Sequence, residues 1–336
     1  MIQEVHVMPE HYPVIFASDE RGVQPLGVAI YSLLEVADAS SVYEVYVLSN
    51  GISEESRKRL RNLFAADHAR HSLVFVDVSN LPALSELPAT ARWPVSMWAR
   101  VFIPELLPAV SGKVAYLDID ILVCQDLREL FHTPLNSKAI GAVLEHPSHE
   151  GSHFNKRLDI PQMAPGYFNS GVMLMDMDVF RQQHLVEKII SFGKAHRDVL
   201  DCPDQDALNG ALCENLQPIH HKWNWHDGLT RLLLKRNAGA RMSRGAALEV
   251  AVEAALRPGI LHYQGPNKPW HYTYRIERKR YADVMRRSGF GIYPLPGKTL
   301  KKQIKAVLYA PVYWLTWLRI RRLYKHFQSL SEKQRL

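Results

Sequence analysis

Cysteine is scarce: Cys124, Cys202 and Cys213 are the only three in 336 residues, and no two form a C-x-x-C pair. That excludes a zinc knuckle and a disulfide framework, and it fits a reducing compartment. The N-terminal stretch MIQEVHVMPEHYP carries Glu4 and Glu10 and has no apolar core, so no signal peptide is expected. Internal repeats and low-complexity tracts are missing. Acidic residues are missing from one long stretch: none falls between Asp283 and Glu332, where ten Lys and Arg occur. The net charge of +7 therefore resides in the C-terminal segment, and the rest of the chain is mildly acidic. A tail so biased implies an anionic partner. What is abundant is hydrophobic residues, 47% of the chain, enough for one large domain with an appendage.

Strand and helix signals alternate in the first part. PVIFAS reads as a strand and PLGVAIYSLLEVAD as a helix with Pro25 near its start. YEVYVLSN is a second strand. ISEESRKRLRNLFAAD follows as a helix, acidic first and basic later, as the helix dipole prefers. SLVFVDV is a third strand, and SMWARVFIPELL is expected to be helical before KVAYLDID. This order argues for an α/β sandwich with a mainly parallel sheet. Further on, AIGAVLE and NSGVMLMDMDVF are strand-like, DVFRQQHLVEKIISFGKAH has helical periodicity, and DQDALNGALC is a short helix with Asp204 near its start. Residues 235–258 are basic and alanine-rich, a helical or loose insertion, and GILHYQG returns to strand. Ligands of such sheets bind beyond the carboxyl ends of strands. Asp19 lies just past the first strand, and Asp118 and Asp120 at the end of the fourth.

KVAYLDIDILV sets two aspartates inside an apolar run. In a strand, residues two apart share a face, so the carboxylates of Asp118 and Asp120 sit side by side with Ile119 turned away. Like charges so close are costly unless a cation lies between them. Mn²⁺ or Mg²⁺ suits such oxygen ligands and bridges to phosphate oxygens. A strand end with two solvated aspartates has the same pattern. HYQGPNKPWH, His262 to His271, is less easily filler. His262 can complete a metal shell, Gly265 allows backbone to approach a phosphate, and Lys268 can pair with it. An exposed Lys in a Gly-Pro turn is the plain alternative.

FASD, YLDIDILV, YFNSGVMLMD, DQDALNG and HYQGPNKPWH occur in this order and spacing. Together they resemble the family 8 retaining glycosyltransferases, in particular the bacterial branch that adds α-linked galactose or glucose to lipopolysaccharide or lipooligosaccharide. The resemblance covers about residues 13–275. It implies a GT-A type nucleotide-sugar transferase fold over 1–275, a UDP-hexose donor and Mn²⁺, with Mg²⁺ as an alternative. It implies Asp118, Asp120 and His262 as metal ligands. Ala17, Ser18 and Asp19 match the loop that holds uracil and ribose, and Gly265 and Lys268 the diphosphate clasp. Arg100 matches an arginine that contacts the donor, and Ile119 lies between the two metal-binding aspartates. Asn169, Asp204 and Gln205 match residues lining the donor sugar. Asn169 can equally shape a turn, and Asp204 can cap a helix.

One position departs from the family pattern. Relatives often carry Asn-Tyr soon after the first-loop Asp, with the Tyr stacking on the base; here Arg21 and Gly22 stand there. Trp223 and Trp225, in HHKWNWHDG, can offer an acceptor platform or be core residues. The tail 276–336 has basic ends around an aromatic, apolar middle. Ala306 to Leu318 is thirteen residues with Pro311 inside, too short for the roughly 20 residues of a bilayer span. It suits a basic amphipathic helical tail lying on an anionic membrane, or a helix packed on the catalytic domain.

The expected function is metal-dependent, retaining transfer of a hexose from UDP to a saccharide hydroxyl on a glycolipid. It would occur at the cytoplasmic face of a membrane, with no nucleic-acid partner. A nucleotidyltransferase would share the sheet and aspartate pair but need a Gly-rich basic loop, of which ASDERGVQPLG is a poor version. A non-catalytic membrane-surface protein would have no use for Asp118, Asp120, His262 and Lys268 together.

Overall fold

A computed structural model describes residues 9–65, 68–88, 95–145, 156–158, 166–226, 229–230, 233, 248–272, 277–291 and 295–333. The first half runs β1 (Glu10–Asp19), α1 (Val23–Glu35), β2 (Ser41–Asn50), α2 (Glu54–Arg61), β3 (Ser72–Asp77), β4 (Lys113–Leu117) and β5 (Ile121–Val123). The second half runs β6 (Ile140–Leu144), β7 (Phe168–Asp176), α3 (Met177–Gln182), α4 (Leu185–Ala195), α5 (Pro203–Leu212), β8 (Leu216–Pro218), α6 (Leu248–Leu256), β9 (Ile260–His262), α7 (Arg278–Arg287) and α8 (Leu300–Lys333).

Among the described residues, seven strands form one sheet in the order β3-β2-β1-β4-β7-β6-β8. It is mainly parallel, as the alternating pattern predicts; β7 alone runs against its neighbours β4 and β6. Each central strand is apolar on both faces because both are covered. Val14 and Phe16 of β1, with Ala115 and Leu117 of β4, enter one core; Ile15, Val114 and Tyr116 enter the other. This is the period of two that side-chain alternation imposes. The first core is roofed by α1 and α6, and the second by α4 and α5.

Three local expectations are modified. The stretch expected to be helical before β4 is 3₁₀ over Val95–Phe102, followed by one α-turn at Ile103–Leu106. Pro104 has no N–H to donate, so it opens a new turn rather than extending the old one. The helix expected over 178–196 is two: His184 adopts φ 52 between α3 and α4. The break lets α4 lay Leu185, Val186 and Ile189 onto the second core. Of the insertion expected at 235–258, residues 235–247 lie outside those described, and Leu248–Leu256 is helical.

The C-terminal segment joins the same body. Tyr281, Met285 and Phe290, in and after α7, are buried in the first core. α8 continues through Pro311, and its later part docks: Ile320 is buried, Leu323 and Tyr324 pack beside it, and the Arg257 guanidinium covers the Tyr324 ring at 5.9 Å. Leu300, Ile304, Val307, Leu308, Trp314 and Leu315 are exposed. Among the described residues, no helix is long and apolar enough to cross a membrane.

Candidate active site

β4 stops at Leu117, so Asp118 and Asp120 stand not inside a strand but on the bend between β4 and β5. The bend follows from the next pairing. β5 leaves the main sheet for β9, with Ile121 opposite His262. The backbone N–H of Asp118 meanwhile donates to the Gly171 carbonyl at 2.8 Å, holding the bend against β7. Two carboxylates and one imidazole thus converge from positions 142 and 144 residues apart in sequence. One ligand atom from each of Asp118, Asp120 and His262 lies within 4.8 Å of the others.

His262 is oriented from behind. Its Nδ1 lies 2.8 Å from Asn224 Oδ1, and Asn224 in turn donates from Nδ2 to Asn169 Oδ1 at 2.8 Å. With its amide oxygen toward the ring, Asn224 accepts the proton on Nδ1 and leaves Nε2 facing Asp120 Oδ1 at 3.1 Å. This is the tautomer a metal-binding imidazole needs. Burial by itself would raise the Asp120 pKa, but His262 and Lys268 hold it below the usual carboxylate range. Lys268 Nζ contacts Asp120 Oδ2 and donates to the Tyr263 carbonyl at 3.2 Å. The turn that delivers it begins at Gly265, whose φ of 77 a side chain would resist.

Arg100 is the buried cation at the centre. Its guanidinium lies 3.2 Å from Asp118 Oδ1 and 3.0 Å from Asp204 Oδ2, and donates to the Ser170 carbonyl at 3.0 Å. It covers the Tyr116 ring at 4.6 Å, whose hydroxyl donates to Asp118 at 2.9 Å. Burial disfavours the charge on Arg100, yet Asp118, Tyr116 and Asp204 keep it firmly protonated. Asp204 is 1% exposed in the first turn of α5. Burial, with help from the Asp118 charge and against Arg100, raises its pKa to about 6. Its Oδ2 makes an ion pair but no hydrogen bond.

Gln205 accepts at Oε1 from the Ser170 N–H at 3.0 Å and donates from Nε2 to the Tyr167 hydroxyl at 3.0 Å. Asn169 donates to Glu145 Oε1 at 2.9 Å. Asp206, behind them, accepts from Tyr167 at 2.6 Å and from Arg157 at 2.9 Å and is fully buried.

Two adjoining cavities result. The larger, about 460 Å³, is lined by Asn169, Asp204, Gln205, His262, Gly265 and Glu145. The smaller, about 320 Å³, lies at the carboxyl ends of β1 and β2 and is lined by Ala17, Ser18, Asp19 and Ile119. Arg100, Asp118, Asp120 and Lys268 border both. Every residue that the sequence motifs single out for the site therefore lies on one continuous cleft. Trp223 and Trp225 do not: they are 1% and 2% exposed and belong to the first core, so neither offers an acceptor platform. Burial wins because Gly259 leaves room for the Trp223 ring and Thr230 accepts from the Trp225 indole at 2.9 Å. Sequence reading misses Asn224, Glu145, Tyr167 and Asp206. Asn224 carries a trace of signal as the polar residue between two tryptophans, and Tyr167 and Asp206 lie inside the YFNSGVMLMD and DQDALNG motifs without being singled out; Glu145 carries none.

The site's donor chemistry fits a hard divalent cation: two carboxylates, and an imidazole fixed with its free nitrogen toward them. Comparisons with known proteins agree on the family. General stress protein A of Bacillus subtilis (strain 168) is 27% identical over 285 residues, covering 83% of this chain and 95% of that protein. Lipopolysaccharide 1,2-glucosyltransferase of Escherichia coli (strain K12) is 25% identical over 258 residues, covering 77% of this chain and 72% of its own length. In fold, the chain is similar to galactosyltransferase LgtC solved with donor and acceptor sugar analogues: TM-score 0.69, 22% identity, 85% of this chain and 98% of that one. The Glycosyl transferase family 8 model matches residues 13–274, and the chain, with its GT-A fold, belongs to that family of glycosyltransferases.

Proposed function

We propose that the protein is a metal-dependent, retaining hexosyltransferase that uses a UDP-sugar and glycosylates a saccharide on lipopolysaccharide or a similar cell-surface glycolipid. The observation that carries this reading is the convergence of Asp118, Asp120 and His262 beside Lys268 and Arg100. Asp118, Asp120 and His262 would hold Mn²⁺ or Mg²⁺, which when bound neutralises charge on a diphosphate leaving group. Lys268, on its Gly265 turn, reaches the same diphosphate. Ala17, Ser18 and Asp19 receive the nucleoside in the smaller cavity. Asn169, Asp204 and Gln205 line the larger one, where they orient the hexose and face charge that develops at its anomeric carbon. Glu145, beside Asn169, supplies an acceptor for sugar hydroxyls at the same wall. The galactosyl- and glucosyltransferase names of its relatives favour galactose or glucose as the hexose.

By role, residues 1–275 carry catalysis and 276–336 associate with the inner face of the cell membrane. α7 is packed into the catalytic core, so the association would be rigid rather than tethered. The exposed residues of α8 and its lysines supply apolar and cationic contact with anionic lipid.

A donor panel tests the reading. UDP release from UDP-galactose or UDP-glucose should require Mn²⁺ and stop with chelator. Proton NMR of the fresh product should show the α configuration of the donor kept. A β linkage, or turnover indifferent to chelation, would overturn it.

A further inference from the structure

The smaller cavity has a feature that a nucleoside pocket does not need by default: one wall is the aliphatic side chain of Ile119, and behind that wall lies a buried glycine, Gly22. Gly22 is buried, and a Cβ there would lie 2.7 Å from Ile119 Cδ1 and 2.3 Å from Ser18 Oγ. Gly22 has an ordinary backbone φ of −88, so the glycine is not demanded by conformation. A Cβ there would push the Ile119 and Ser18 side chains from where they stand. Ile119 packs against the first core and lines the cavity together with Leu48, Val78 and Ala99. Among the described residues two aromatic side chains line the cavity, and each has other contacts. Tyr116 is 2% exposed under the Arg100 guanidinium, with its hydroxyl committed to Asp118. Trp270 also lines the cavity, with its ring 5.9 Å from Lys268 Nζ and against Tyr281. Arg21, beside the cavity, is turned onto Asp19 Oδ2, where its Nε and terminal nitrogen donate at 2.9 and 2.7 Å.

We infer that the nucleobase of the donor is held in an aliphatic slot, packed on the Ile119 side chain rather than on an aromatic ring, and that Gly22 and Ile119 together set the slot's width and so its preference for a single-ring base. The inference rests on the nucleotide-sugar reading above. A planar base buries its faces against apolar groups and turns its polar edge to the carboxylate and amide at the strand ends, Asp19 and Asn50. Aliphatic walls can bury a base face but add no stacking energy, so width matters more than in a stacked site. Ile119 stands between Asp118 and Asp120, which ties the base wall to the same bend as the metal-binding pair.

The test measures binding by calorimetry in the presence of Mn²⁺, with UDP, ADP and inorganic pyrophosphate as separate probes. Pyrophosphate reports the diphosphate end without a base. Ile119→Ala should weaken UDP about ten-fold, the loss of most of one aliphatic side chain's contact, and leave pyrophosphate within about two-fold. It should also narrow the UDP-over-ADP preference, since the widened slot admits a purine. Gly22→Ala should weaken UDP at least as much, again sparing pyrophosphate; a thermal melt checks that it is folded. If Ile119→Ala weakens UDP and pyrophosphate equally, Ile119 acts only through the metal-binding bend and the inference falls. It also falls if Trp270→Ala shows the base-specific loss and Ile119→Ala does not. If wild-type protein binds pyrophosphate as tightly as UDP, the slot holds no base and the inference falls while the metal site stands. Binding of neither probe would take the underlying reading down with it.

Discussion

Asp204 is a carboxylate that folding alone would discard. It is almost wholly buried, and its pKa rises from 3.8 to about 6, burial being the main cause. The folded state therefore holds the proton more tightly than the unfolded one. That contribution is complete below about pH 4 and is lost as pH rises through about 6; the difference amounts to about 3 kcal/mol. Above pH 6 the ionised group is a liability to folding, and the proposed role beside the donor sugar would account for it. Asp204→Asn should therefore melt a few degrees above wild type at pH 7.5 in chelator, the gap narrowing through pH 6 and closing below about pH 4, while turnover falls by about two orders of magnitude or more. A lower melting point at pH 7.5 would show that the charge stabilises the fold. The aspartate pair proposed to hold the metal behaves differently. Asp118→Asn and Asp120→Asn should abolish the Mn²⁺-dependent part of UDP binding in calorimetry; each variant also loses an ion pair, to Arg100 or to His262 and Lys268, so a thermal melt checks that it is folded. At this scale the site was largely legible. Asp118, Asp120, His262 and Lys268 sit in motifs whose residue types announce their chemistry, whereas Asp204 reads by type as a helix cap and joins the site only through the family resemblance. Asn224 and Glu145 were not, because an amide or a lone carboxylate gains meaning only from the partner 55 or 24 residues away that it touches.

Pairing between elements turns those residues into a site. β5 abandons the main sheet and pairs with β9, and the register Ile121 to His262 sets the imidazole beside Asp120. Period-two patterning predicted one strand through the aspartates; it could not show where that strand changes partners, because both halves are equally apolar and the exchange depends on β9, over a hundred residues on. The turn His221–Asn224 then completes the arrangement by bringing Asn224 under the ring. Asn224→Leu should lower the affinity for Mn²⁺ alone, followed by electron paramagnetic resonance, by roughly 10- to 100-fold. The ring would lose the acceptor that fixes its tautomer. Unaltered Mn²⁺ binding would mean the imidazole is oriented by packing alone. The break at His184 was equally hidden: every residue from Asp178 to His196 is compatible with a helix, and only the need to lay Leu185 and Ile189 on the second core interrupts it.

On the scale of the whole molecule, α8 has two faces, one docked on the core and one exposed. Leu300, Ile304, Val307, Leu308, Trp314 and Leu315 recur at intervals that, at about 100° per residue, fall within roughly a third of a turn. Ile320, Leu323 and Tyr324 fall on the opposite side, and that side is docked. The composition of the tail announced both an apolar surface and a basic one. It left open whether the helix meets lipid or the catalytic domain, since either burial uses the same residues, and the docked face resolves only the second. Removing α8 entirely is a poor test of the first, because it strips Ile320 from the core. Substitution by face separates them. Ile320→Asp buries a charge against α6 and should lower the melting temperature by several degrees, as unpaired buried charges do. The triple change Leu308→Ser, Trp314→Ser and Leu315→Ser touches only residues 66%, 63% and 58% exposed, so melting should shift by less than about 1 °C. It should nevertheless remove most cosedimentation with phosphatidylglycerol vesicles. High salt should release wild type only in part, because charge accounts for only part of its attachment. If the triple variant sediments as fully as wild type, the exposed stripe does not meet lipid, and the lysines flanking it have another anionic partner.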